Sequence, residues 1–160
     1  MKNKYFSHIS IFVFCLLFSS GCSFISVSRV PSVEPLRETT VSGSGKDKIL
    51  IIDISGIIVV ERKRGLAGLS DEPDMVARIE EELETAAKDK YLKAIILRIN
   101  SPGGTVTASD MIYHEIEQFK ENTHIKIIAC IMDLGASGGY YVAVSADKII
   151  AHPTTVTGSI

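Results

Sequence analysis

From residue 48 onward the chain alternates short apolar runs with amphipathic stretches. Ile49-Leu50-Ile51-Ile52-Asp53-Ile54 is rich in β-branched residues and closes at Ser55-Gly56, which predicts a buried strand, and Ile57 to Val60 reads as a second short one. Residues 61–72 are charged and glycine-bearing and read as a surface loop. From Pro73, the residues Val76, Ile79, Leu83 and Ala86 or Ala87 recur at three- and four-residue steps; this predicts an amphipathic helix with Asp71 as its cap and Pro73 in its first turn. A strand over Ala94–Ile99 ends at Asn100-Ser101-Pro102-Gly103-Gly104. Thr107 then stands as the cap of a helix whose Ile112, Ile116 and Phe119 line one face. A strand over Lys126–Met132 leads through Asp133-Leu134-Gly135-Ala136 to Ser137 and a helix over Tyr140–Ala146, and a last strand covers Lys148–Ala151. Strands apolar on both faces, alternating with helices, predict an α/β fold: a mostly parallel sheet built from right-handed βαβ units and covered on both faces. In such sheets ligands bind at the carboxyl ends of the strands, where both glycine-rich turns fall.

The first residues follow another logic. Lys2 and Lys4 precede an apolar stretch, Ile9–Phe18, which gives way to Ser19-Ser20-Gly21 and Cys22. A basic, then apolar, then small-residue order is an export signal, and the stretch is short of the roughly 20 residues a transmembrane helix needs. Gly21-Cys22 after an apolar run resembles a bacterial lipobox, with Ser19 where that pattern has leucine. Residues 1–21 are therefore expected to be a signal peptide cut before a lipid-bearing Cys22, giving an exported protein anchored in the bacterial cell envelope through a lipid. Residues 22–46, rich in Ser, Thr, Pro and Gly, read as a flexible tether, and residues 47–160 as the folded part.

Composition narrows the classes. A chain 46% hydrophobic with a net charge of −2 can bury a core, and its one short basic cluster, Arg62-Lys63-Arg64, gives no electrostatic footprint for nucleic acid. Of the three cysteines, Cys15 lies in the signal and Cys22 at the anchor, so Cys130 has no partner for a disulfide. It sits in an apolar run and reads as a buried structural thiol.

Ser137 follows a buried strand and precedes a helix, with Gly135 before it and Gly138-Gly139 after it. Glycines let the backbone turn sharply and a substrate come close, and unpaired N–H groups at a helix start suit a developing negative charge. The Gly138 N–H is the natural donor. Ser101-Pro102-Gly103-Gly104 offers a second one, and two donors from neighbouring strand ends make an oxyanion hole. His114, His124 and His152 read as surface or loop residues, Glu80 to Glu84 as a solvated helix face, and Tyr140 and Tyr141 as packing residues.

Together, Asn100-Ser101-Pro102-Gly103-Gly104 and Gly135-Ala136-Ser137-Gly138-Gly139-Tyr140-Tyr141-Val142-Ala143, followed by Ala146-Asp147-Lys148-Ile149 and Thr157-Gly158-Ser159, resemble the signal peptide peptidase A family of serine peptidases. The resemblance runs from Lys48 to Ile160. It implies a ClpP/crotonase-type fold and a Ser/Lys dyad that cleaves residual signal peptides and other membrane-associated peptides, with no metal and no cofactor. It implies Ser137 as nucleophile, Gly104 and Gly138 as oxyanion donors, Ser159 as the hydroxyl that orients the lysine, and assembly into a homo-oligomer. The family's lysine lies downstream of Thr-Gly-Ser, past residue 160, so residues 1–160 alone are expected to be inactive. Lys148, beside Asp147 at a strand start, is a poor substitute, since an exposed lysine is protonated at pH 7. Two other readings stay open: a crotonase-type acyl-CoA enzyme, which needs the two N–H groups but no serine, and a non-catalytic lipoprotein or scaffold subunit.

Overall fold

A computed structural model describes residues 36–60, 63–64, 71–72 and 74–159. The signal segment and Cys22 lie outside them. Residues 36–47 are exposed and carry neither helix nor strand.

Four strands, β1 (Lys48–Ile58), β4 (Leu92–Gly104), β5 (Lys126–Ala136) and β6 (Lys148–Ala151), form a parallel sheet in the order β1-β4-β5-β6, and β7 (Val156–Gly158) pairs with the far end of β5. The helices α1 (Met75–Ala87), α2 (Val106–Thr123) and α3 (Gly138–Ala143) are the crossovers. Between β1 and α1, β2 (Lys63–Arg64) and β3 (Asp71–Glu72) pair as a small antiparallel ribbon where a plain loop was expected.

Several boundaries differ from those the sequence suggested. Ile57 and Ile58 extend β1 past a register shift between Ser55 and Ile57, where Gly56 has φ +82°. Asp74, not Asp71, caps α1, its carboxylate accepting the Ala77 N–H at 3.0 Å, and Asp71 belongs to β3. β4 runs on through Ser101-Pro102-Gly103 to Gly104, so Thr105 rather than Thr107 caps α2, accepting the Ala108 N–H at 3.3 Å. β5 likewise continues to Ala136, and α3 begins at Gly138 and ends at Ala143.

Among the described residues, only one face of the sheet is packed against helices. The strand order advances in a single direction, and right-handed crossovers in that order put every helix on the same side. Rows such as Ile52–Leu97–Ala129 and Ile54–Ile99–Ile131 therefore join Ile79, Leu83, Ile112, Ile116 and Val142 in one core. Each fully buried Ile or Leu there contributes about 1.5–3 kcal/mol. The opposite face carries Ile51–Ile96–Ile128 and the Asp53–Arg98 ion pair in the row of Cys130 and Ile150. Among the described residues no helix covers it, and Ile49 and Ile150 are 62% and 47% exposed. The expectation of a sheet covered on both faces does not hold for these residues, and Cys130 is half-buried rather than buried.

The Ala-Asp-Lys-Ile segment ties β6 to the start of β5. Asp147 accepts the Ile127 N–H at 2.8 Å and Lys126 Nζ at 2.9 Å, while its own N–H donates to the Ile127 carbonyl. The Ile127 N–H, with Lys126 behind it, holds its carboxyl below the usual range.

Candidate active site

The two glycine turns meet at the carboxyl edge of the sheet. Between the paired positions Ile99↔Ile131 and Ser101↔Gly135, β4 advances two residues and β5 four, so β5 bulges. Asn100 steadies the bulge by accepting the Leu134 N–H on Oδ1 at 3.2 Å. Gly135 is required where the chain folds back over its own strand, because a Cβ there would stand 2.4 Å from Ile131 Cγ2. The bulge delivers Ser137 to the N-cap of α3 with φ +50° and ψ −123°, a conformation unfavourable for any residue with a Cβ. Its N–H donates to the Gly158 carbonyl at 2.9 Å and its carbonyl accepts the Tyr141 N–H at 2.9 Å. Ser137 is partly exposed, and its hydroxyl makes no capping bond to α3.

Gly103, at φ +98°, is pressed against this elbow: a Cβ on it would lie 2.6 Å from Gly138 N and 2.9 Å from Ser137 Cβ. A Cβ on Gly138 would lie 3.3 Å from Gly104 N. The structure thus brings Ser137, Gly104 and Gly138 together. Ser159 joins them through β7, which lies parallel to the end of β5 with Gly135↔Thr157 and Ala136↔Gly158 paired. Thr157 Oγ1 donates to the Gly135 carbonyl at 2.8 Å, and the residue after Gly158 is Ser159, exposed at φ +57°.

The lysines gather elsewhere. Lys48, Lys93, Lys126 and Lys148 stand at or next to the first residues of the four parallel strands, the opposite edge of the sheet. Lys148 pairs in register with Ile128, nine positions before Ser137 along β5, which at about 3.3 Å per residue is more than about 20 Å away. Lys120 is held by the Ser145 carbonyl and Glu117. The histidines make other contacts: His114 lies 3.6 Å from Asp110, His124 ends α2 in the left-handed region, and His152 bonds Thr154. Among the described residues no three His, Cys, Asp or Glu side chains cluster as a metal site would need.

Two serines do more than their sequence context indicated. Ser101 is fully buried; its hydroxyl donates to the Gly56 carbonyl at 2.6 Å and accepts the Gly103 N–H at 3.0 Å, so it clamps the turn to β1. Its backbone also stands where a Cβ of Gly139 would fall. Ser101→Ala takes the side-chain partner from the buried Gly103 N–H and removes the tie to the Gly56 carbonyl, and is expected to lower stability by about 2 kcal/mol, read by urea denaturation of the full-length protein. An unchanged midpoint would contradict the clamp. The second is Ser109, 2% exposed on the first turn of α2, whose signal in the sequence is a serine beside the apolar stripe of a helix. Tyr141, read as packing, is 42% exposed and donates from its hydroxyl to Asp110 at 2.8 Å; that bond raises the phenol above its ordinary value.

A parallel sheet whose carboxyl edge joins two glycine turns beneath a partly exposed serine belongs to the ClpP type of α/β fold. The structure overlays on ClpP1 of Listeria monocytogenes, a point mutant, with a TM-score of 0.51 at 20% identity, covering 67% of this chain and 53% of that one. It overlays on a mutant of the 1510-N membrane-bound stomatin-specific protease with a TM-score of 0.55 at 22% identity, covering 72% and 49%. In sequence the chain is 38% identical over 116 residues to the chloroplastic serine protease SPPA of Arabidopsis thaliana, and 39% identical over 118 residues to protease 4 of Haemophilus influenzae. Those matches take in 72% and 71% of this chain but 16% and 17% of the relatives, so the chain spans about a sixth of their length. The chain belongs to the signal peptide peptidase A family of proteases, and the family model described as NfeD1b, N-terminal domain, matches its residues 72–160.

Proposed function

We propose that the protein is an exported, membrane-tethered serine endopeptidase that hydrolyses residual signal peptides and other membrane-associated peptides. The observation that carries this reading is the elbow at Ser137, held at φ +50° against Gly103, with Gly104 N and the Gly138 backbone next to it. Ser137 Oγ attacks the carbonyl carbon of the scissile bond and gives its proton to a neutral lysine amine supplied by chain downstream of residue 160, which Ser159 orients. The oxyanion so formed accepts hydrogen bonds from the Gly104 and Gly138 N–H groups. The C–N bond then breaks, the leaving amine takes the proton from the lysine, and water hydrolyses the acyl ester to restore Ser137. That lysine must be desolvated to be neutral near pH 7, because its ordinary pKa is about 10.4.

The anchor is a lipid on Cys22, with residues 23–46 spanning from the membrane to the sheet, and the active form is a homo-oligomer that takes peptides and needs neither metal nor cofactor. The test offers the full-length protein an apolar fluorogenic peptide and, separately, an acyl-CoA thioester, and compares palmitate labelling of wild type with that of Cys22→Ala. Peptide cleavage and a lipid label lost in Cys22→Ala are expected. Thioester turnover without peptide cleavage would replace the peptidase with an acyl-CoA enzyme, and an unlabelled wild type would remove the anchor.

A further inference from the structure

The hydroxyl of Ser109 donates to the Thr105 carbonyl at 3.0 Å, and the Ser109 N–H donates to the same oxygen at 3.1 Å. Such a back-bond adds nothing that the helix needs and slightly destabilises it, so helix formation does not account for a serine here. The oxygen has a second contact: it stands 2.1 Å from the point that a Cβ on Gly138 would occupy, and Gly104 N lies 3.3 Å from that point. One buried oxygen is thus lodged against Gly138 and fixed to Thr105, the residue that follows Gly104.

We infer that Ser109 is a positioning residue: its hydroxyl is the spacer that sets the separation and direction of the Gly104 and Gly138 N–H groups, and the missing Cβ of Gly138 is its complement. This rests on the peptidase reading of the site. Ser109 touches neither substrate nor nucleophile in that scheme; it acts through the two glycines.

The contact makes two expectations for the full-length protein. Ser109→Ala deletes an oxygen whose carbonyl partner keeps the Ser109 N–H, so the melting temperature should hold, while kcat falls about tenfold with KM nearly unchanged, because oxyanion donors act only when aimed at the transition state. Gly138→Ala drives a methyl group into Ser109 Oγ and should abolish turnover. In the double variant the nearest atom becomes Ser109 Cβ at 3.1 Å, so Ser109→Ala should raise the turnover of Gly138→Ala by about tenfold or more, the non-additivity expected of residues in contact. Turnover and melting are measured for wild type, both single variants and the double variant, and Ser109→Gly replaces Ser109→Ala should the latter fail to fold. Rescue of Gly138→Ala together with a kcat-only loss in the single Ser109 variant supports the inference. A double variant no better than Gly138→Ala, or a Ser109 variant with wild-type kcat, overturns it while leaving the peptidase intact. No turnover by the wild type overturns the peptidase reading, and the inference with it.

Discussion

Adding a single methyl group at Gly104 is expected to cost turnover and fold at once. A Cβ there would stand 1.8 Å from the carbonyl oxygen of Ile58, and both its other nearest atoms are Ile58 backbone. No rotamer change relieves such an overlap, since the obstacle is main chain in the neighbouring strand of the same sheet. Either β1 or the end of β4 must move. The same Ile58 carbonyl accepts the Thr105 N–H at 2.8 Å, so a shift of β1 also loosens the start of α2 and, through it, Ser109. Gly104→Ala in the full-length protein should therefore lose at least about a hundredfold in kcat/KM, the scale of one lost oxyanion donor, and melt at a lower temperature than wild type. The pair is read by a fluorogenic peptide assay and a thermal melt. Near-wild-type values for both would mean that the end of β4 is not packed against Ile58 as described.

Ser137→Ala is expected to have the largest effect on activity and almost none on the fold. The elbow is shaped by its neighbours: Gly135 folding over Ile131, the Asn100 carboxamide on Leu134, the Gly158 carbonyl on the Ser137 N–H, and Gly103 beneath. None of these uses the serine oxygen. Turnover should fall by about a millionfold, the scale seen when a serine nucleophile is deleted and only the oxyanion hole and binding remain. A companion variant separates backbone from chemistry. At φ +50° a residue with a Cβ is strained, so Ser137→Gly should be inactive yet more stable than Ser137→Ala by about 1 kcal/mol. Ser137→Gly less stable than Ser137→Ala would contradict the left-handed elbow.

The sequence carried the site's ingredients further than its scaffold. Glycines around a serine at a strand end, and motifs in the family's order, single out Ser137, Gly104 and Gly138 as candidates, and the three stand side by side at the sheet edge. The core rows were legible from the isoleucine runs of β1, β4 and β5. Those same runs misled on coverage: Ile49, Ile51, Ile96, Ile128 and Ile150 are apolar whichever face the helices take, and the face is decided by strand order, which no local pattern reveals. The caps slipped by two or three residues for a similar reason. Thr107 and Thr105 are equivalent as caps, and the continuation of β4 to Gly104 selects Thr105. β7 is three residues with no apolar run, and it forms because its backbone completes the end of β5. Ser101 carried no signal of its own and Ser109 only that of a serine beside a helix's apolar stripe; their roles come from burial and from what a missing Cβ leaves room for.

The central claim is that Ser137 is an activated nucleophile, and reaction of the full-length protein with a fluorophosphonate, followed by peptide mapping, tests it most directly. The hydroxyl should attack phosphorus and expel fluoride, leaving one phosphonyl group on the peptide that contains Ser137, while Ser101, Ser109 and Ser159 stay unmodified and Ser137→Ala takes up none. A folded wild-type protein that resists the reagent, or one modified at another serine and still modified after Ser137→Ala, would contradict the account.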